Sequence, residues 1–360
     1  MRTFTRQNET GIALVIVMIA TMVLSFLAAG FAYSMKIETK LAQNANSESE
    51  LYWLGRSGVE LARSLLMRNC PTEPYDSLDQ QWAGGSAGAT ATNCPWLDVE
   101  HTVSLGNGSF TWTITDLDRR FNINRADETM LERALRLVDP DHPGDHSTVV
   151  NSILDWIDAD NNTRIDGAES AYYEGLNPPY AAKNKPIDDM SELLLIKGIR
   201  DRPEIYSADY APAAFQQRDR FGRMTEALPV NPVHLKDLFT PISGGKININ
   251  TARAEVLQLI PGIVDPKVAE AIVAGHQGED DGSHLIGPYK NVSEVSRVPE
   301  VPRGLIGQLS QYCDVHSWVF QVDVDAEVAG YHRKFTALLA RNSPRDIQVL
   351  KFSESSESWK

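Results

Sequence analysis

The sequence predicts an α+β protein that combines a long N-terminal helix with an antiparallel sheet and has a large all-α domain inserted between the strands. Three observations predict this architecture. Residues 12–35 carry no charge, and the chain stays compatible with a helix to about residue 68. Residues 98–124 and 316–341 alternate between polar and apolar side chains, as strands do. Residues from about 120 to 310 show mostly helical patterns, interrupted by proline and glycine.

The composition is globular, with a strong acidic excess. The 360 residues include 34 lysines and arginines against 48 aspartates and glutamates, a formal net charge of −14. Phosphate backbones repel such a chain, which argues against a nucleic-acid-binding protein and is compatible with cation binding. The three cysteines are too few for a disulfide-scaffolded mini-domain or a cysteine-rich zinc module.

The uncharged segment 12–35 is long enough to cross a membrane. As a helix, its 24 residues span about 36 Å. Arg2 and Arg6 precede the segment, so we expect its N-terminal side to stay cytoplasmic and the rest of the chain to lie outside. The apolar run continues beyond the small residues at 28–30, unlike the short core of a cleaved secretory signal. The segment therefore predicts a membrane anchor.

The helix is expected to continue from the membrane segment into the exported part. Between Lys36 and Arg68 there is no proline, and only Gly55 and Gly58 weaken the helical pattern. Apolar residues recur there at three-, four- and seven-residue steps, namely Leu41, Ala45, Tyr52, Val59, Ala62 and Leu66. We therefore predict one helix over residues 12–69.

The N-terminus as a whole resembles a known class of signal. A polar leader ending in glycine, an apolar helix and an amphipathic extension are similar to the class III signal of type IV pilins and type II secretion pseudopilins. The resemblance implies a pilin-like fold, cleavage of the leader 1–11 by prepilin peptidase after Gly11, and methylation of the new N-terminus, Ile12. Most pilins carry glutamate at the fifth mature position, where this chain has Ile16. The K-type minor pseudopilins share that departure.

Two cysteines bracket a loop rich in small residues. Outside the cytoplasm, Cys70 and Cys94 can form a disulfide that closes about 25 residues and stabilises the fold by about 3 kcal/mol. Cys313 is left over, and a pairing that involves Cys313 stays open.

The strongest local motif is a twelve-residue acidic loop, 158–169, that fits an EF-hand calcium loop. Hard oxygen ligands at alternating positions converge on an ion when the loop turns tightly. The predicted ligands are Asp158, Asp160, Asn162, the backbone carbonyl of Arg164, Asp166 and Glu169. Ile165 stands at the apolar eighth place, and Thr163 replaces the usual glycine. Asp155 can extend this site. The acidic run 279–281 is a weak candidate for a second ion site, and a solvated loop is the favoured interpretation of that run.

The same region is similar to a specific family. Residues 153–199 resemble the signature of the type II secretion K-type pseudopilins, with D-W-I-D, G-A-E, Y-Y, P-P-Y, S-E-L and G-I in order. With F-N-I-N, I-N-I-N-T-A and the pilin-like N-terminus, the resemblance covers nearly the whole chain. It implies a calcium-binding inserted α-domain and a structural, non-enzymatic role at the tip of the pseudopilus, which it would cap or initiate.

The family resemblance also implies partners and location. The expected partners are other minor pseudopilins, the major pseudopilin, the inner-membrane secretion platform and prepilin peptidase. The expected location is a single pass through the inner membrane, with the C-terminal domain in the periplasm. The expected segments are a leader (1–11), the helix (12–69, membrane-spanning at 12–35), a discontinuous αβ domain (70–119 and 310–350), the inserted α-domain (120–309) and a polar tail (351–360).

An internal repeat lies within the predicted insertion. Residues 121–126 and 247–252 both place N-I-N-x-A before a helical stretch. Residues 191–199 and 293–301 then both begin with Ser-Glu before short apolar segments. A duplicated helical hairpin module is the predicted explanation.

Three further motifs suggest other functions. Residues 84–88 match G-x-S-x-G, but the flanks lack the strand and helix that a nucleophile elbow of a hydrolase requires. Asp141, His142, Asp145 and His146 form a possible metal cluster that is more simply a turn. Residues 247–276 resemble a helix-hairpin-helix module, which keeps open an alternative function as a type IV pilus minor subunit or DNA-uptake receptor. However, Asp265 and Pro266 stand where phosphate should bind, and a packing module is favoured.

Overall fold

A single 60-residue helix, α1 (Thr10–Asn69), forms the N-terminal element of the computed structural model. The structure describes residues 10–69, 74–84, 102–210, 233–277 and 287–354. The helix begins two residues before the predicted start at 12 and ends where predicted. Within it, Ala13–Met67 contains a stretch long and apolar enough to cross a membrane, and that stretch is not buried by the rest of the chain.

Nine strands accompany this helix in the described residues. They are β1 (Thr102–Leu105), β2 (Gly108–Asp116), β3 (Phe121–Asn122), β4 (Phe239–Thr240), β5 (Ile247–Asn248), β6 (Cys313–Asp314), β7 (Val319–Val328), β8 (Tyr331–Ser343) and β9 (Asp346–Glu354). The five longest form one antiparallel sheet in the order β1-β2-β7-β8-β9.

The sheet joins two distant parts of the chain. Strand β2 pairs with β7, with Trp112 opposite Val324, although about 200 residues separate them in sequence. Strands β1 and β2 form a β-hairpin, in which Gly106 adopts a φ of 64° that favours glycine. The antiparallel sheet and the long helix are therefore as predicted, and the strands come from both sides of a long intervening segment.

The second half of α1 packs against one face of this sheet. Its buried face consists of Leu51, Leu54, Val59, Ala62, Leu65 and Leu66. Gly55 and Gly58, predicted only as weak helix breakers, lie where the helix approaches the sheet most closely. A β-carbon at Gly55 would lie 2.3 Å from the Phe335 ring, and one at Gly58 would lie 2.7 Å from Val324. Their lack of a side chain permits this contact.

The segment between β2 and β7 has its own hydrophobic core and seven short helices among the described residues. These are α2 (Glu128–Val138), α3 (His146–Ile157), α4 (Ser170–Glu174), α5 (Leu235–Leu238), α6 (Ala254–Leu257), α7 (Pro266–Gln277) and α8 (Ile306–Tyr312). Single turns of 3-10 helix connect many of them. The prediction that 120–309 is all-α needs correction, because β3 pairs with β4 and β5 with β6 in parallel two-residue ladders.

The internal repeat has a structural basis in two asparagines. The side chain of Asn124 accepts the Ile187 N–H at 2.7 Å and donates to the Ile187 carbonyl at 2.9 Å. The side chain of Asn250 makes the same reciprocal pair with Tyr289, at 2.8 and 3.0 Å. Each asparagine thus fastens its N-I-N turn to the segment just before the next Ser-Glu start. The sequence repeat therefore corresponds to a pair of tertiary hydrogen bonds that occurs twice in the fold.

The C-terminal end differs from the sequence prediction. Strand β9 was not predicted, and residues 351–354, assigned to the polar tail, belong to it. Only Ile347 of β9 is fully buried, because β9 lies at the edge of the sheet, so its sequence lacks the strong apolar alternation of a central strand. Residues 355–360 of the predicted tail, most of the leader, and Cys70 and Cys94 lie outside the described residues, whereas Cys313 is a buried free thiol.

Candidate metal centre

The acidic loop connects α3 to α4 and brings three carboxylates together. Asp155 lies in the last turn of α3, Asp158 follows directly after that helix, and Glu169 directly precedes α4. Their carboxylate oxygens lie within 4.8 Å of one another, the only such group of three acidic, histidine or cysteine residues that the described part of the chain contains. We call these three residues the carboxylate cluster.

The cluster is buried and short of hydrogen-bond partners. Asp155 is fully buried and Glu169 is 2% exposed. Both Glu169 side-chain oxygens, together with Oδ1 of Asp158, are buried without a hydrogen-bond partner. Buried carboxylates without partners are costly unless a cation compensates them. The orphaned oxygens therefore fit a bound metal ion, and hard carboxylate oxygens favour calcium or magnesium.

The electrostatics of the loop agree with that geometry. Burial raises the pKa of Glu169, and the nearby charges of Asp155, Asp158 and Asp160 raise it further. The hydrogen bonds that Arg164 donates to Asp158 and Asp155 raise the pKa of its guanidinium. The cluster thus has an excess of negative charge that one protein cation reduces.

Arg164 enters the cluster through its side chain. The sequence predicts a contribution from its backbone carbonyl, and in the structure that carbonyl accepts the Gly167 N–H at 3.0 Å. In addition, Nη1 of Arg164 lies 2.7 Å from Oδ1 of Asp155 and also contacts Oδ2 of Asp158. The backbone N–H of Arg164 donates to both oxygens of Asp155, at 3.3 and 3.2 Å.

The three remaining predicted ligands lie on the outer side of the loop. Asp160, Asn162 and Asp166 are all exposed, and the carboxylate cluster does not include them. Oδ1 of Asp160 accepts the Asn162 N–H at 2.8 Å, which shapes the turn. Asp166 has a φ of 61°, in the left-handed region of backbone conformation. This conformation therefore occurs three residues after Thr163, the position that glycine usually takes in an EF-hand loop. Ile165, in the apolar eighth place, is 84% exposed.

Asn184, from a distant segment, also reaches the loop, and no sequence signal identifies it. Its Nδ2 donates to the Asp160 carbonyl at 2.6 Å and to Oδ1 of Asn161 at 3.0 Å, while its own Oδ1 is buried without a partner. Its φ of 48° is in the left-handed region, which asparagine tolerates. The side-chain oxygen of Asn184 is therefore available as a further metal ligand beside the cluster.

An aromatic wall supports the loop from the core side. The Trp156 ring packs edge-on against Tyr173 with centroids 5.2 Å apart, and Tyr173 stacks on Tyr180 at 5.3 Å. Tyr173 is fully buried, and burial raises the pKa of its hydroxyl. The wall fixes α3 and α4, from which Asp155 and Glu169 project.

The competing motifs have structural roles in the described residues. In the predicted turn, His142 Nδ1 lies 2.7 Å from Asp139 Oδ1, and His146 Nε2 lies 2.8 Å from the Asp139 carbonyl oxygen. In the segment that resembles a helix-hairpin-helix module, Oδ1 of Asp265 accepts the Lys267 N–H at 3.0 Å, at the point where a phosphate would bind. Most of the G-x-S-x-G motif and the acidic run 279–281 lie outside the described residues.

Comparisons with known proteins point to one family. A family model described as type II secretion system, protein K, matches residues 114–208, which include the carboxylate cluster. A type II secretion system protein K of Aeromonas hydrophila is 22% identical over 369 residues, covering 96% of this chain and 97% of the relative. The protein of the same name from Pseudomonas aeruginosa is 24% identical over 288 residues, or 77% and 76% of the two chains.

A solved structure shares the fold. A chain of the GspK-GspI-GspJ complex from the type 2 secretion system of enterotoxigenic Escherichia coli matches with a TM-score of 0.60 at 18% identity. The match covers 88% of this chain and 99% of that chain. The similarity thus extends over most of this chain and almost all of that chain.

Proposed function

The chain belongs to the type II secretion system protein K family and is a minor pseudopilin, and on that premise we propose that it caps or initiates the tip of a pseudopilus. As a member of this family it is a structural subunit and not an enzyme. The observation that carries the proposal is the similarity to protein K over almost the full length of both chains.

The proposed architecture is a pilin-like αβ scaffold with an inserted domain. Helix α1 has an exposed apolar half and a second half that packs on the sheet, which suits a membrane anchor attached to an exported domain. The segment between β2 and β7, with its own core, corresponds to the inserted domain. In this proposal the anchor crosses the inner membrane once and the sheet and inserted domain lie in the periplasm, as Arg2 and Arg6 favour.

Processing at the N-terminus is part of the proposal. Prepilin peptidase would cleave after Gly11 and methylate Ile12, both in the first turn of α1. Mass spectrometry of the full chain, coexpressed with a prepilin peptidase, tests this step. A mature chain that starts at methylated Ile12 supports the proposal, and a chain that still starts at Met1 contradicts it.

The proposed partners are other minor pseudopilins, with which the similar GspK chain was crystallised. The major pseudopilin, the inner-membrane platform and prepilin peptidase complete the proposed set. Ile16 cannot make the carboxylate pairing of a subunit that has another stacked beyond it, which suits a tip position. Copurification of the full chain with the I and J subunits of its own secretion system, in detergent, tests the assembly. A ternary complex is expected, and a chain that elutes alone would contradict the tip role.

Calcium is the proposed ligand of the loop 158–169. Asp155, Asp158 and Glu169 would hold the ion, and the buried Oδ1 of Asn184 is available beside them. The ion would compensate the buried carboxylates and rigidify the junction of α3 and α4. Melting of the full chain in calcium and in chelator tests the site: calcium should raise the melting temperature, and identical curves would exclude it.

A further inference from the structure

The side chain of Arg164 contacts Asp155 and Asp158, two of the three residues that would hold the proposed calcium ion. We infer that Arg164 is a tethered cation that neutralises the carboxylate cluster when calcium is absent, leaves it when calcium binds, and so weakens the calcium affinity of the site. This inference rests on the proposed calcium site. It assigns to Arg164 a role opposite to that of a ligand.

The contacts of Arg164 favour competition. Its Nη1 bonds one oxygen of Asp155 and one of Asp158, two of the three cluster members. The guanidinium takes one lone pair on each of these two carboxylates and neutralises part of their negative charge, so an ion at the cluster would find fewer lone pairs and less negative charge. The two positive charges would also repel each other at this separation. Glu169 keeps both oxygens unpartnered, so the guanidinium compensates only part of the cluster.

The side chain is free to leave. Arg164 is 39% exposed, and the described hydrogen bonds of its guanidinium all come from Nη1. An arginine on the loop surface can rotate into water, and a calcium ion that replaces it compensates the buried Asp155 carboxylate that the guanidinium leaves. Displacement by calcium therefore needs no rearrangement of α3 or α4.

The alternative role for Arg164 is to orient Asp155 for the ion. The structure supplies that orientation without the guanidinium. The backbone N–H of Arg164 already donates to both oxygens of Asp155, and Gly167 lies so close that a β-carbon there would be 2.1 Å from Oδ2. Asp155 is thus fixed by the backbone on two sides. Removing the guanidinium should leave the ligands in place and remove only the competing charge.

Calcium titration of matched variants tests the inference. The full chain in detergent is titrated with calcium by calorimetry, alongside Arg164→Gln, Arg164→Lys and Arg136→Gln. Arg136 is 68% exposed on α2 and pairs with Glu132, so its substitution removes the same charge from the same region without touching the loop. Arg164→Gln is expected to lower the Kd for calcium about tenfold, which corresponds to about 1.4 kcal/mol. The Kd of Arg164→Lys should stay closer to that of the parent, and the Kd of Arg136→Gln should equal that of the parent.

Two results overturn the inference, and they are distinguishable. If the parent binds calcium and Arg164→Gln binds it equally or more weakly, Arg164 does not compete and the calcium site itself stands. If the parent binds no calcium in the titration, the proposed site falls and the inference falls with it. Melting in chelator and across a calcium series gives a second readout, because ligand binding stabilises the folded state in proportion to RT ln(1 + [Ca]/Kd). Arg164→Gln should melt below the parent in chelator and gain more from calcium.

Discussion

Nη1 of Arg341 lies 2.7 Å from Oδ2 of Asp76, and both side chains are almost completely buried. Arg341 belongs to β8, whereas Asp76 lies in the segment that follows α1. The same Asp76 oxygen accepts the Ser317 N–H at 3.0 Å, just before β7 begins. Burial alone would raise the pKa of Asp76, but His316 and Arg341 outweigh it and hold that pKa below its usual value. The contacts of Asp76 therefore join the segment that follows α1 to strand β8 and to the end of the intervening segment.

Removing one member of this pair should be strongly destabilising. Arg341→Met leaves a buried carboxylate without its cation, so we expect a loss of about 3–5 kcal/mol in the free energy of unfolding, measured by urea denaturation. Arg333→Met is the matched control on the same strand, because Arg333 is 35% exposed in its pairs with Glu48 and Glu354 and should lose at most about 1 kcal/mol. The double variant Asp76→Asn with Arg341→Met should recover part of the loss. Equal losses in Arg341→Met and Arg333→Met would contradict a buried pair.

A second buried carboxylate beside the pair should make stability depend on pH. Burial and the nearby charge of Asp118 together raise the pKa of Asp116 to about 7, although the hydrogen bonds that Ser317 and Thr251 donate to it act in the opposite direction. A carboxyl whose pKa is higher in the folded than in the unfolded state binds more protons when folded. Its contribution is present below pH 4 and is lost as the pH rises towards 7.

Asp116→Asn should remove that contribution. Between pH 4 and 7, the loss of unfolding free energy with rising pH should become shallower, by up to about 1.4 kcal/mol per pH unit, in denaturation series at several pH values. His316, whose pKa is also raised by Asp76, changes stability in the same direction and is unaffected by the substitution, so some slope should remain. Asp346→Asn, at an exposed position, serves as the control. An unchanged slope in Asp116→Asn would show that Asp116 is ionised throughout.

The sequence predicted the elements with strong periodicity and missed those that depend on tertiary context. Strands β2, β7 and β8 alternate clearly because one face packs on α1. Strand β9 does not, since an edge position leaves most of its side chains in contact with solvent. The two-residue ladders of β3 to β6 are too short to produce any pattern. Local sequence patterns also do not show which of two strands far apart in the chain pair with each other.

The candidate site was predicted in the same uneven way. The spacing of carboxylates identified the loop, and Asp158 and Glu169 at its ends do converge. The alternating interior positions, such as Asp160, are exposed, and the left-handed backbone conformation occurs at Asp166, a position that spacing alone does not determine. Asn184 carries no signal at all, because its approach depends on the path of a distant segment.

Gly55 and Gly58, two of the four glycines of α1, give a prediction that opposes helix propensity. Alanine favours a helix by about 1 kcal/mol over glycine, yet a methyl group at Gly55 would collide with the Phe335 ring. We expect Gly55→Ala and Gly58→Ala each to lower the free energy of unfolding by about 1–3 kcal/mol, as overpacking does. Gly30→Ala on the same helix has nothing within 4 Å and should be neutral or slightly stabilising. If Gly55→Ala had the same free energy of unfolding as Gly30→Ala, α1 would not lie so close to the sheet.

Glu169 gives the sharpest test of the carboxylate cluster as a calcium site. Both of its oxygens are buried without a partner, so in chelator the parent carries an uncompensated carboxylate. Glu169→Gln removes that charge together with a ligand that would bind through two oxygens. In chelator the variant should therefore melt at or above the parent. At a calcium concentration one hundred times the Kd, the parent should gain about 2.7 kcal/mol, and the variant should gain little.

Asp160→Asn separates the observed cluster from the ligand set that the loop spacing predicts. Asp160 is exposed and outside the cluster, so the variant should keep most of the calcium-induced rise in melting temperature, whereas a true third-position ligand would lose it. A full calcium response in Glu169→Gln, or its loss in Asp160→Asn, would move the ion away from the three convergent carboxylates. The opposite pattern would place the ion between the end of α3 and the start of α4, where its charge would compensate the Glu169 carboxylate, whose two oxygens the described residues leave unpaired.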